Sequence, residues 1–210
     1  MQVYSAAIGS YGTNCYLLTD PESGETAAID CAVYDGAYRR FLAEAGISRL
    51  KYILLTHGHF DHISGVKALR DACGGTVCIH AADADCLTDE TRSLNAYVDY
   101  AVLQPVSADC LIDEKSVLTL GSHAITVMPT PGHTPGSVCF LTDDGKMFSG
   151  DTLFRLSMGR TDMPGGSTRT LFASLRQIGA LEGDYTVYPG HMEQTTLEFE
   201  KKYNRYLHAK

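Results

Sequence analysis

Within six residues, His57-Gly58-His59-Phe60-Asp61-His62 gathers four side chains able to bind a metal ion. The run follows Tyr52-Ile53-Leu54-Leu55, a short apolar stretch of the kind that forms a strand buried on both faces. In an extended segment, residues two apart point to the same side, so His57 and His59 converge on one point. Asp61 and His62 then turn into a following helix and face a neighbouring point. A solvated His-rich loop is the plain alternative. Its place at the carboxyl end of a buried strand, where loops carry function, favours metal binding.

Three further segments repeat the device of a short strand delivering one metal-binding side chain beside glycine. They are Pro131-Gly132-His133, Ser149-Gly150-Asp151 and Pro189-Gly190-His191. Together with the first run they supply the seven ligands His57, His59, Asp61, His62, His133, Asp151 and His191, enough for a site of two metal ions. His80, His123 and His208 lack such a context and are expected to be structural or solvated. All seven expected ligands are His or Asp and none is Cys, which suits an open catalytic site better than a closed structural one. Zinc is the expected metal, and the same donor set accepts iron or manganese.

These residues must be held by a scaffold. Strand-like segments fall near residues 3–8, 15–19 and 26–30, and an amphipathic helix follows with Tyr34, Tyr38, Phe41, Leu42 and Ala45 on one face. A second helix is expected from about Ile63 to the glycines Gly74 and Gly75, then a strand at residues 76–79. Residues 81–105 read as irregular, with one short helix, a loop able to overhang a site. Antiparallel strands follow at 117–120, 124–128 and 137–142. The glycine-rich loop 156–166 leads to a helix carrying Leu171, Leu175 and Ile178, and a terminal helix carries Phe199, Tyr203, Tyr206 and Leu207. Two successive strand-and-helix halves without a linker imply one α/β domain over residues 1–210, with two sheets face to face and helices outside.

Composition narrows the partners. Seventeen Lys+Arg against 25 Asp+Glu give a net charge of −8, which repels nucleic acid and anionic lipid. No apolar run approaches the roughly 20 residues that cross a bilayer, and the amino terminus shows no signal peptide. The seven cysteines are irregularly spaced without a C-x-x-C pair, as expected of reduced thiols in a cytoplasmic protein. The oligomeric state leaves no mark on the sequence.

The spaced motifs resemble those of the metallo-β-lactamase superfamily, from about residue 29 to residue 207. The resemblance implies an αββα sandwich. It implies that His57, His59 and His133 hold one metal, that Asp61, His62 and His191 hold a second, and that Asp151 bridges them. Thr130 to Ser137, Ser149 to Phe154 and Tyr188 to His191 further resemble the glyoxalase II group, which hydrolyses 2-hydroxyacyl thioesters such as S-lactoylglutathione. That likeness implies a metal-bridging hydroxide as nucleophile, oriented by Asp61, and a small-molecule thioester as substrate. The chain is expected to be a short form lacking the group's helical carboxyl-terminal domain. Where the group binds glutathione through Lys and two Tyr, this chain has Arg160, Asp162 and Glu193. Arg160 is the candidate substrate contact, or else the partner of Asp162, and the thiol carrier stays open. Gly159-Arg160-Thr161-Asp162 also resembles the loop of persulfide dioxygenases, which use one iron and oxygen. A lactonase of the same superfamily is a further hydrolytic alternative.

Overall fold

The computed structural model describes residues 1–100 and 102–208. Strands β1 (Gln2–Ile8), β2 (Thr13–Thr19), β3 (Thr26–Ile29), β4 (Tyr52–Leu54), β5 (Thr76–His80) and β6 (Cys110–Ile112) form one sheet in chain order. β1 to β3 pair antiparallel, and β3 to β6 run parallel. The second sheet has the order β14-β13-β10-β9-β8-β7. Its strands are β7 (Val117–Leu120), β8 (His123–Pro129), β9 (Val138–Thr142), β10 (Lys146–Gly150), β13 (Thr186–Pro189) and β14 (Thr195–Thr196). Here β10 and β13 form the parallel pair. A small hairpin, β11 (Leu153–Phe154) with β12 (Ser157–Met158), projects between them in sequence. Each sheet is thus the product of one contiguous half of the chain.

Alternation along the strands divides the apolar residues into three buried layers. Tyr16, Leu18, Ile29 and Leu54 face Ile125, Val127, Phe140 and Phe148 across the space between the sheets. The opposite face of the first sheet, with Leu17, Ile53 and Val77, is covered by α1 (Gly36–Glu44) and α3 (Val66–Cys73) through Tyr38, Phe41 and Leu69. On the second sheet, Cys139, Met147 and Val187 are covered by α4 (Thr168–Gly179) and α5 (Leu197–Tyr203) through Leu171, Leu175 and Leu197. Helix, sheet, sheet, helix is the expected αββα sandwich.

Local chemistry sets the helix ends. Asp35 accepts from the Ala37 and Tyr38 amides and starts α1, and Ser167 does the same for α4 through Thr170. The second expected helix is split in two. A single turn α2 (Phe60–Ile63) stops at Ser64-Gly65, and α3 begins after it. A Cβ at Gly65 would lie 2.5 Å from Cys31 Sγ, so the break lets the chain pass close under the first sheet's loop. The terminal helix is likewise shorter than its apolar stripe. It ends at Tyr203 because the buried Asn204 turns inward, donating to Glu200 and to the Phe154 and Ser157 carbonyls. All seven cysteines are free thiols, and six are buried. Among the described residues no helix is long and apolar enough to cross a membrane.

Candidate metal centre

The seven expected ligands meet at the carboxyl ends of the strands. Extended backbone after β4 presents His57 and His59, and α2 presents Asp61 and His62. His133 follows β8, Asp151 follows β10 and His191 follows β13. Three triads have ligand atoms within 4.8 Å of one another: His57, His59 and His133; Asp61, His62 and His191; and His57, His62 and Asp151. Asp151 stands between the first two. Its Oδ2 lies 3.5 Å from His133 Nε2 and 3.6 Å from His191 Nε2, and its Oδ1 lies 3.4 Å from His62 Nε2. His191 Nε2 is 3.2 Å from Asp61 Oδ2.

Hydrogen bonds behind the rings settle which nitrogen is bare. His62 Nδ1 donates to Asp30 Oδ2 at 2.7 Å. Thr56 Oγ1 donates to the same oxygen at 2.8 Å, which leaves the hydroxyl to accept from His57 Nδ1 at 3.1 Å. His133 Nδ1 donates to the Arg160 carbonyl at 2.7 Å. With these protons placed on Nδ1, Nε2 of each ring faces the centre, the arrangement that metal-binding histidines take, and that of His133 lies 2.8 Å from His59 Nδ1. His57 Nε2, His62 Nε2 and Asp151 Oδ1 are buried with no hydrogen-bond partner. Buried polar atoms are costly to leave unpaired. Their convergence fits divalent cations, and so does a donor set of imidazole and carboxylate.

The electrostatics agree. Burial and the neighbouring His62 and His133 push His57 well below the usual imidazole range, and burial beside His133 pushes His59 down to about 3. Both are therefore neutral, as ligands must be. Burial alone would raise the Asp61 carboxyl, yet His62 and His191 outweigh it and hold Asp61 below its ordinary value. Burial opposes a proton on His62, but Asp61, Asp151 and Asp30 together raise it to about 10. Among these carboxylates the ring favours a positive charge at Nε2, the place a divalent ion would take instead of a proton.

Two acidic residues that the spacing pattern does not single out build the second layer. Asp30 sits just after β3 at φ 58°, an uncommon conformation for a non-glycine residue. Its carboxylate holds the Thr56 amide through Oδ1 and both Thr56 Oγ1 and His62 through Oδ2. Its signal was available, because Ile29-Asp30 repeats the strand-then-acid pattern of Asp151. Asp83 lies in the 3-10 helix Ala81–Leu87 and is 1% exposed. It accepts from Gly58 N at 2.9 Å, Gly136 N at 2.8 Å and Thr134 Oγ1 at 2.6 Å, tying the His57–His59 loop to the His133 loop. No spacing rule could have found it.

The other histidines stand apart from the centre. His80 caps the 3-10 helix through Ala82 N, His123 pairs with Asp143, and His208 bonds the Lys201 carbonyl. Arg160 reaches the cleft beside the centre, and its Nε and Nη2 each lie 2.7 Å from an oxygen of Asp162. The Asp162 pair meets one expectation for Arg160, and its place in the cleft lining keeps it within reach of a substrate, the other. The segment after β5 does overhang the site: Leu94 and Val98 line the cleft.

With the geometry in place, comparison with known proteins gives the family. Residues 8–191 match the metallo-beta-lactamase superfamily, and the chain belongs to it. An uncharacterized protein of Mycobacterium leprae is 35% identical over 208 residues, spanning 95% of each chain. A hydroxyacylglutathione hydrolase of Cereibacter sphaeroides is 37% identical over 177 residues, 84% of this chain and 61% of that protein. Among solved structures, BLEG-1 B3 metallo-beta-lactamase superposes with a TM-score of 0.91 at 32% identity, covering 99% of this chain and all of BLEG-1. TTHA1623 in a di-iron-bound form gives 0.85 at 33% identity, covering 97% of this chain and all of that one. ETHE1 from Myxococcus xanthus gives 0.81 at 27%, covering all of this chain and 86% of ETHE1. The superfamily is one of metallo-hydrolases that bind divalent metal ions.

Proposed function

We propose that the protein is a binuclear hydrolase that cleaves a thioester of the 2-hydroxyacyl type. The observation that carries this reading is the pair of triads, His57/His59/His133 and Asp61/His62/His191, with the Asp151 carboxylate reaching both. Two divalent ions, zinc by expectation, would supply Lewis-acid polarisation of a carbonyl and a water acidified towards neutral pH. The chain's own residues do the rest. Asp61, kept ionised by His62 and His191, lines the cleft and accepts a hydrogen bond from the attacking water, which orients it. Thr13 Oγ1 donates to Asp61 Oδ2 at 3.2 Å and fixes its orientation. The Nδ1 partners Asp30, Thr56 and the Arg160 carbonyl keep the rings aimed while charge develops at the substrate. A thiol's pKa is about 8.5, so a thiolate departs without a strong general acid, unlike an amine or alkoxide. The 37% identity to a hydroxyacylglutathione hydrolase supports the same substrate chemistry.

The persulfide-dioxygenase reading draws on the Arg160 loop and the ETHE1 likeness. It needs one iron, and the second triad would then be redundant. Metal analysis of the purified chain should return two ions per polypeptide, with turnover of S-lactoyl thioesters and no oxygen uptake on a persulfide. A penicillin belongs in the same panel, given the BLEG-1 likeness. His59→Ala and Asp151→Ala should abolish turnover while the fold persists. Full metal content without hydrolysis of any thioester, ester or lactone would sink the proposal.

A further inference from the structure

The cleft at the metal centre is about 550 Å³, within the range of small-molecule sites. Its floor is His59, Asp61, His133, Asp151 and His191. Away from that floor the walls are apolar. Met158, Met163, Met192, Tyr11, Leu94 and Val98 contribute most of that apolar lining. Three of the chain's six methionines stand at this one cleft. Thioether side chains adapt to varied apolar shapes and carry no charge.

The positive charge near the cleft is already engaged. Arg160 is the only cationic side chain among the described residues lining it, and it grips Asp162 through two hydrogen bonds of 2.7 Å. Next to Met192 at the rim, Arg155 is paired with Glu193. Across His59, in the smaller hollow on the other side, Arg92 lies 3.2 Å from Asp85 and 3.9 Å from Asp89. A carboxylate-bearing thiol carrier would have to compete for each of these cations, in a protein whose net charge is −8. A neutral, apolar arm meets no such competition and gains from the Met walls.

We propose that the cleft selects thioesters whose arms beyond the 2-hydroxyacyl carbon and the sulfur are apolar and uncharged, and discriminates against anionic thiol carriers such as glutathione. The assignment rests on the hydrolase reading for its reaction and on the wall residues for its selectivity. Hydrolysis itself is unchanged: water adds to the thioester carbon, the C–S bond breaks, and a carboxylate, a thiol and one proton are released.

The test uses the metal-loaded full-length chain and 2-hydroxypropanoyl, 2-hydroxybutanoyl and 2-hydroxyhexanoyl thioesters of N-acetylcysteamine and of glutathione. The kcat/KM should rise roughly two- to fourfold per added methylene, as burial of a CH₂ predicts. The neutral carrier should exceed glutathione by about tenfold for the same acyl group, the step set by ~1.4 kcal/mol. Met163→Gln and Met192→Gln should lower the 2-hydroxyhexanoyl-to-2-hydroxypropanoyl ratio at least roughly threefold, the size of one lost methylene contact. Met192 is 57% exposed, so that variant keeps its fold. Asp162→Ala, which frees Arg160, should shift the preference several-fold towards glutathione. Calorimetric binding of S-hexyl-N-acetylcysteamine and S-hexylglutathione separates the two claims. If no thioester is cleaved but the neutral ligand binds about tenfold tighter, the hydrolase reading fails and the selectivity stands. A flat chain-length profile, a preference for glutathione, or no binding of either ligand overturns the selectivity, whatever the hydrolase result.

Discussion

Asp83 offers a sharp way to test how the metal-binding loops are held. Its Oδ1 serves Gly136 N, and its Oδ2 serves both Gly58 N and Thr134 Oγ1. Asp83→Ala strands two buried amides at ~1–3 kcal/mol each, while Thr134 keeps its bond to Ser137 Oγ at 2.7 Å. The loss should be about 4 kcal/mol, a large part of the roughly 5–15 kcal/mol that stabilises a typical domain. Asp83→Asn is isosteric but supplies a single acceptor oxygen. Whichever way the amide turns, an NH₂ faces a backbone N–H, so the substitution should still cost ~2–4 kcal/mol. At ~2–4 °C per kcal/mol for a chain of this size, the melting midpoint should fall by about 4–16 °C. Thermal and urea unfolding of the wild type and both variants, each with and without chelator, measure the midpoint and the free energy. Asp83 ties the loops carrying His57, His59 and His133, so metal at that triad should also be weakened more than at the other. An Asn variant within about 0.5 kcal/mol of wild type would refute the reasoning, because a neutral acceptor would then suffice.

Other perturbations follow from the same geometry. Asp30→Asn removes the acceptor shared by Thr56 and His62 and should weaken metal binding about 10–100-fold in a chelator competition, with the fold retained by circular dichroism. Gly190→Ala places a Cβ 2.2 Å from Asp151 Oδ1 and 2.8 Å from His62 Cε1, so the purified variant should carry less metal than wild type by elemental analysis. Burial pushes the Cys78, Cys86 and Cys139 thiols up to about 12, leaving almost no thiolate at pH 8, whereas Cys110 is partly exposed. Native alkylation followed by intact mass should therefore add one label at Cys110 before any other, and the rest should react only on unfolding.

Much of the site was legible because its information is local. The spacing of His57, His59, Asp61 and His62 is fixed by a strand end and one helical turn, and His133, Asp151 and His191 each follow a strand of their own. The layered sheets were legible for a similar reason, since alternation assigns Leu17 to one face and Leu18 to the other without reference to distant residues. Asp83 was not legible, because its meaning depends on loops 25 and 53 positions away in sequence. The break at Gly65 was hidden too: its cause is Cys31 and the backbone beneath it, and helix periodicity carries no trace of that neighbour. Arg160 had two readings that sequence could not rank: the carboxylate two residues on pairs with it, and the same guanidinium lines the cleft.

The origin of the two sheets in successive halves of the chain has a consequence for assembly. His57, His59, Asp61 and His62 belong to the first half, and His133, Asp151 and His191 to the second. Neither half alone holds a complete triad of either kind. Each ion would act as a rivet through both plates of the sandwich, so metal affinity contributes directly to the docking of one half on the other. Stripping the ions should therefore loosen the seam between the halves as well as remove the chemistry.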